Sequence, residues 1–268
     1  MGVYEFFSIY SIILLGKLQE VTMIYKIVEE SDLLKIKPLF NDIRFYMGNS
    51  VLDGVMGEAY VDDIKNPNIA FLLVRSYCFI SGNISESKLK EIIDKRFRNY
   101  KLIPSDRIGN QIKKIYSNNI QKFHRYSIKK DVKFNIEKLH HMANSLNNSF
   151  NIVKIDESLA NKIKELGFIN ITDDYKKNGI GFCCIYNNEI IGVASSNIFY
   201  KDGIEVNIKV DEKYRRKSIA TAMASNLILE CLKQNKKVSW DAANVNSVRL
   251  AQKLGFEFDS SYNVYNFN

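Results

Sequence analysis

The stretch Ile204–Ala220, IEVNIKVDEKYRRKSIA, decides how the rest of the chain is read. Ile204–Val210 alternates as a strand does, and from about Ser218 to Gln234 apolar residues recur at helical spacing. The turn between them carries Lys213, Arg215, Arg216 and Lys217. A strand that turns directly into a helix leaves the first backbone N–H groups of that helix without intrahelical partners, and the helix dipole adds positive potential there. With cations beside it, such a terminus suits an anion, and a diphosphate-bearing ligand is the natural guest.

Working outward, Ile219, Met223, Leu227 and Cys231 give the helix an apolar face. Lys237–Ala242 reads as the next strand, Asn246–Leu254 as a helix stopped by Gly255, and Phe256–Phe267 as one or two terminal strands. Upstream, Gly181–Tyr186 and Glu189–Phe199 are strands joined by the tight-turn pair Asn187-Asn188. Helices are expected over Asn135–Leu146 and Ser158–Leu166. Earlier still come a helix from Ser31 to about Phe40, strands at Glu58–Val61, Ile69–Val74 and Tyr77–Ser81, a helical face over 85–97, a helix at Ile108–Tyr116 and a strand at Lys122–Ser127. The basic segment Lys129-Lys130-Asp131 marks a soft boundary. The division predicted is an extension over 1–22, a smaller α+β domain over 23–130 and a second domain over 131–268.

Bulk properties narrow the function class. A chain of 268 residues with 46 % apolar content and three prolines is globular rather than disordered. The net charge of +8 decides little, because an aromatic-plus-basic stacking strip and a recognition-helix signature are both missing, so nucleic acid is not the expected partner. Cys78, Cys183, Cys184 and Cys231 form no CxxC pair, and His124, His140 and His141 have no ligand spacing. No metal is expected, and a reducing cytoplasm fits these thiols. Val3–Leu15 is apolar but shorter than the roughly 20 residues that span a bilayer, and it lacks the flanks of a signal segment. Residues 1–22 are read either as an extra surface helix or as lying upstream of a start at Met23.

The order strand, YRRKSIA turn, long helix, WDAAN and a helix ending KLGF resembles the GNAT superfamily of acetyl-CoA-dependent N-acetyltransferases over residues 150–268. The first half, at GVMGEAYVDD and NPNIAFLL, is similar to the extra domain of two-part GNAT acetyltransferases common in Gram-positive bacteria. The resemblance implies an α+β fold: a mixed, mostly antiparallel sheet flanked by helices, preceded by a smaller α+β domain. It also implies that the Q/R-x-x-G-x-G/A loop of the family wraps the CoA pyrophosphate. Arg215 takes the first position, Ser218 the first glycine and Ala220 the last, and Arg216 replaces a second frequent glycine. Arg215, Arg216, Lys217, Ser218, Ile219, Ala220 and Thr221 are thus the implied pyrophosphate residues. Val210 would pair its backbone with the pantetheine arm, and a backbone N–H near Ile208–Val210 would meet the oxyanion. Asn244 and Ser247 match the family's N-x-x-[AS]-x-x-[LY] helix entry, where Asn244 either binds pantetheine or caps the helix.

The chemistry so implied is attack of an amine on acetyl-CoA in a ternary complex, with a carboxylate as base. Glu205 is the first candidate and Asp241 the second; a plain solvated strand position is the bland reading of Glu205. The tyrosine that many relatives use as acid, four residues before the helix-ending glycine, is here Ala251, and Tyr262, Tyr265 or a water is left to substitute. The acceptor, a small-molecule or peptide amine, would lie between the halves, with Asp62 or Asp63 against a cationic group. The rival reading, favoured by Ala251 and the two lost glycines, is a non-catalytic acyl-CoA-binding or regulatory module. The oligomeric state is left open, a homodimer included.

Overall fold

The stretch Ile69–Val74, IAFLLV, is apolar at every position, as a strand covered on both faces must be, and it is buried throughout. In the computed structural model, which describes residues 23–41, 46–129, 132–169 and 173–267, this strand lies inside a large sheet. The described strands are β1 (Tyr25–Lys26), β2 (Glu58–Val61), β3 (Ile69–Val74), β4 (Tyr77–Gly82), β5 (Lys101–Pro104), β6 (Ile120–Ile128), β7 (Asn151–Lys154), β8 (Gly181–Tyr186), β9 (Glu189–Tyr200), β10 (Gly203–Val210), β11 (Lys237–Ser239), β12 (Asp241–Ala242) and β13 (Phe258–Phe267). The described helices are α1 (Glu30–Ile36), α2 (Tyr46–Leu52), α3 (Glu86–Ile92), α4 (Asp106–Tyr116), α5 (Ile136–Ala143), α6 (Glu157–Glu165), α7 (Asp173–Asn178), α8 (Ile219–Lys233) and α9 (Val245–Leu254).

The strands form two sheets of mixed, mostly antiparallel pairing: β1-β2-β3-β4-β5-β13-β6-β12 and β11-β10-β9-β8-β7. The C-terminal strand β13 does not stay with the second half of the chain. It lies between β5 and β6, pairing with β6 from Phe258↔Ile128 to Phe267↔Ile120. Residues 130 and 131, where the sequence places its boundary, and the extension 1–22 lie outside the described residues.

A second departure concerns Lys237–Ala242, expected as one strand. The chain instead changes sheet at buried Trp240: β11 runs parallel to β10, whereas β12 pairs antiparallel with β6. Helix α8 also differs from its one-faced reading. Burial of Ile219, Thr221 to Ser225, Leu227, Ile228 and Cys231 reaches round much of its circumference, because α8 lies on β8, β9 and β10 with α5 and α9 packed over it. Gly192 makes that packing close: a Cβ there would stand 2.9 Å from Met223 Cε.

Local signals read from the sequence otherwise recur. Asn187 and Asn188 both take positive φ in the β8–β9 turn, and Gly255 ends α9 at φ 109°. Ser31, which as a serine ahead of Asp32 reads in the sequence as the cap of this helix, is not one: α1 starts one residue earlier, at Glu30, without a side-chain cap. The two halves meet along β9. The Ser50 hydroxyl of α2 donates to Phe199 O, and Arg75, at the β3–β4 turn, donates through Nε and Nη2 to Asn197 O at 3.2 and 2.9 Å.

Candidate active site

The site is built where β10 loses its neighbour. β10 pairs with β11 only at Gly203↔Lys237, Ile204↔Val238 and Glu205↔Ser239; beyond Glu205 the chain of β11 has left for the other sheet. On the opposite side, β10 stays paired with β9 through Val210↔Gly192, but the register shifts between Glu205 and Val206. Ile198 faces Glu205 and Ser196 faces Val206, so Asn197 is the extra residue of a bulge. The freed Asn197 carbonyl is the one held by Arg75. From Val206 onward, then, β10 offers an open backbone edge to a cleft of about 570 Å³.

The cleft brings together residues from both halves. Glu205, Ile208, Val210, Arg215, Ala220, Asn244 and Ser247 line it from the second half, and Met47, Tyr77 and Arg125 from the first. The remaining loop residues of the prediction lie beside it. Arg215 donates from Nε to Val210 O at 3.4 Å and pairs with Glu212 at 2.8 Å; the Lys217 ammonium sits 5.5 Å from the Tyr214 ring centroid. Ile219 and Thr221 are buried, so their side chains serve the core and only their backbone can face an anion.

The two lost glycines have a structural answer. Arg216 and Ser218 stand at φ 64° and 60°, the left-handed conformation glycine adopts without penalty. Backbone geometry is therefore kept although the residues are not glycine. Ser218 precedes α8 with no side-chain cap, which leaves the first N–H groups of that helix to a ligand. Each left-handed non-glycine residue is strained by about 1 kcal/mol or more. Ser218→Gly is accordingly expected to raise stability by roughly 0.5–1 kcal/mol in urea denaturation; a loss of stability would show that no strain is stored there.

Glu205 is 5 % exposed, not a solvated strand position. Burial, then the nearby Asp241 charge, push its carboxyl up to about 8. Hydrogen bonding gives an independent reason to place a proton there. Ser239 Oγ lies against both Glu205 Oε2 and Ile204 O, the latter at 3.0 Å, yet a hydroxyl has one hydrogen. Both contacts are satisfied when Glu205 is protonated and donates to Ser239, which donates onward to Ile204. Glu205 Oε1 is buried without a hydrogen-bond partner.

Asp241 is 95 % removed from solvent at its side chain and fully engaged: Oδ2 accepts from Arg125 Nε at 2.7 Å and Oδ1 from the Tyr262 hydroxyl at 2.8 Å. Burial raises its pKa, opposed by Arg125 and Tyr262. Tyr262 thus stands behind Asp241 rather than in the cleft wall, and burial raises its phenol well above the usual range. Tyr265 is a core residue at 1 % exposure. Ala251 is fully buried; the cleft face of α9 is Asn246, Ser247 and Leu250. Asn244 caps α9, accepting from Ser247 N at 3.0 Å, and Ser247 Oγ accepts from Trp240 Nε1 at 3.0 Å.

Asp62 and Asp63 do not reach the cleft. Their carboxylates hold the 62–69 turn, accepting from the backbone N–H groups of Lys65, Asn66, Asn68 and Ile69. Burial pushes the Cys183 and Cys184 thiols up to about 11, which suits packing rather than nucleophilic attack. Among the described residues no group of His, Cys, Asp or Glu could hold a metal ion, and no helix is long and apolar enough to cross a membrane. Sequence reasoning missed Tyr77, Asn197 and Arg125. Arg125 sits in an ordinary alternating strand, 116 positions from the aspartate it binds, so no local signal marks it.

Comparison with known proteins supplies the context. The family model described as GNAT acetyltransferase matches residues 37–265. A GCN5-related N-acetyltransferase-like protein of Streptococcus suis 89/1591 is similar at 29 % identity and a TM-score of 0.80, covering 89 % of this chain and 99 % of its own. A Drosophila protein shares the fold alone, at 11 % identity and a TM-score of 0.59, over 92 % of this chain and 99 % of its own. An uncharacterized N-acetyltransferase of Bacillus subtilis (strain 168), YdfB, is 29 % identical over 98 residues, which is 36 % of this chain and 38 % of that relative's length. With the family match running through nearly the whole described chain, this protein belongs to the GNAT acetyltransferase family.

Proposed function

We propose that the protein transfers an acetyl group from acetyl-CoA to a primary amine by direct attack in a ternary complex, with Glu205 accepting the amine proton. The observation that carries this reading is a buried carboxylate with one unpaired oxygen, placed where β10 parts from β11. The family uses acetyl-CoA generally, and the residues present fit it. The pantetheine amides would pair with the open edge at Ile208 and Val210, and the pyrophosphate would lie on the unpaired N–H groups of α8 beside Arg215 and Arg216. The acetyl thioester supplies the electrophile; Glu205 holds and releases the proton, and Trp240 and Leu250 keep water from the reacting end. In this reading Asn244 and Ser247 shape the helix entry beside the arm. Tyr77, in the cleft wall with its phenol raised by burial, and Tyr262, through Asp241, are the nearby hydroxyls that could return a proton to the leaving thiolate. The four free, buried cysteines suit a reducing cytoplasm.

The acceptor is best sought by thermal-shift titration with acetyl-CoA followed by a thiol-release screen over amines, aminoglycosides, polyamines and amino acids. Absence of stabilisation at millimolar acetyl-CoA overturns the donor. Arg215→Ala with Arg216→Ala is expected to weaken acetyl-CoA binding by roughly 5- to 30-fold, the worth of one or two exposed charge-assisted contacts. Unchanged affinity would move the pyrophosphate elsewhere. Buried Ala251 favours a second reading, a non-catalytic acyl-CoA-binding module, because α9 then supplies no acid. Binding without thiol release across the screen would select it.

A further inference from the structure

Arg125, Asp241 and Tyr262 make a buried cluster that the reaction as proposed does not use directly. Its construction is specific. Arg125 and Tyr262 are cross-strand partners on β6 and β13, and Asp241 on β12 pairs with Ser127, two residues along β6 from Arg125. All three side chains therefore converge from one sheet, and that sheet is the one dominated by the first half of the chain. Glu205 comes from the other sheet. Its closest polar neighbour is Ser239 on β11, and the chain then runs through Trp240 straight to Asp241.

We propose that Arg125, Asp241 and Tyr262 form a positioning unit that sets when Glu205 can take a proton, so that the first half of the chain governs the base of the second. The Asp241 anion opposes a charge on Glu205, and the Arg125 guanidinium favours one. Arg125 engages both the carboxylate and the backbone of Asp241, through Nε and through Nη2 to the main-chain carbonyl at 3.1 Å. The anion is thereby fixed in place, with Tyr262 holding its second oxygen. The Ser239 hydroxyl and the Asp241 backbone N–H also favour the ionised form, by hydrogen bonding rather than by charge, and both are held in place on either side of Trp240. The Ser239 hydroxyl is neutral, the Tyr77 phenol is raised by burial, and the Lys209 ammonium on β10 is exposed and donates to Gly167 O at 2.9 Å. An arriving ammonium next to Glu205 would favour the carboxylate, so the unit keeps the base neutral at rest; the resting proton passes to solvent as the acceptor binds, and the carboxylate so formed takes the proton of the ammonium to leave a neutral amine.

The inference rests on Glu205 as proton acceptor, but its test needs no turnover. The titration of Glu205 is followed in the full-length protein by carbon-13 NMR of labelled glutamate side chains, with Glu205→Gln identifying the resonance. The unaltered protein is expected to show a midpoint near 8. Asp241→Asn is expected to lower the midpoint by about one pH unit or more, and Arg125→Gln to raise it by a smaller amount. Arg125→Lys, which keeps the charge, should restore it in part. Opposite shifts separate tuning from a merely structural role, which would not move the midpoint in opposite directions. If Arg125→Gln fails to fold, Asp241→Asn and the milder Tyr262→Phe still decide. A midpoint in the ordinary carboxylate range, or one that Asp241→Asn leaves in place, overturns the proposal. Those outcomes are independent of the thiol-release screen, whose failure would instead count against catalysis. Where an acceptor is found, the acid limb of kcat/KM should follow the same shifts.

Discussion

Glu205→Gln is expected to lower kcat by 10²- to 10⁴-fold, the usual worth of a positioned general base, while acetyl-CoA binding stays within about twofold. Glutamine keeps the shape and can still meet Ser239, so the variant removes the proton-accepting charge and little else. The result is read by thiol release under saturating acceptor, with acetyl-CoA affinity measured separately by calorimetry. Full activity in the variant would end the assignment of Glu205. A parallel loss of acetyl-CoA binding would show that the residue supports the cleft rather than the chemistry. In the unaltered enzyme kcat/KM should rise with pH through an acid limb near 8, because only the ionised carboxylate accepts a proton.

The second large effect is on stability. Burial and the Asp241 charge push the Glu205 carboxyl up to about 8 in the folded protein, against 4.5 for an ordinary glutamate. A carboxyl whose folded pKa is raised contributes fully below the unfolded value and loses that contribution as pH rises through the folded one. Between about pH 4.5 and 8 the unfolded chain is ionised while the folded protein still holds the proton, so stability falls by up to about 1.4 kcal/mol per pH unit from this group. Glu205→Gln carries no such proton. Its stability relative to the unaltered protein is therefore expected to improve from pH 5 to pH 9 by on the order of 3 kcal/mol, measured as urea-unfolding free energies at several pH values. A constant difference across that range would mean that Glu205 is ionised in the folded state throughout, and the protonated resting geometry with Ser239 would be withdrawn.

These two effects share one origin: the carboxyl proposed as the base is kept buried at a point where the sheet is incomplete. The bulge at Asn197 and the departure of β12 to the other sheet open β10, and the hydrogen bonds from Arg75 and Ser50 hold the first half against that opening. The first half is thus part of the cleft wall, through Met47, Tyr77 and Arg125.

How much of this was legible beforehand differs by element. The strand–turn–helix at Ile204–Ala220, the Asn187-Asn188 turn, the Asn244 cap and the Gly255 stop are all local, set by residues a few positions apart, and the chain written out contains the physics that makes them. The candidate base Glu205 and the loop residues were found the same way, with the family resemblance giving them roles. Other features depend on distant partners. The alternation of Lys122–Ser127 says strand, but whether Arg125 points to solvent or into a buried ion pair is fixed by Asp241, which arrives only when β12 docks on β6. Arg216 and Ser218 looked like losses because residue type is visible in a sequence and φ is not. The break at Trp240 was invisible because Lys237–Ala242 has the composition of one strand, and only competition between two sheets for its ends divides it. By itself, then, the sequence determined the α+β elements, the basic strand–turn–helix and the candidate carboxylate at position 205. The tertiary structure alone decided that this carboxyl is buried and lies beside a charged cluster from the other sheet, because burial and long-range charge pairing are properties of what the folded chain brings together.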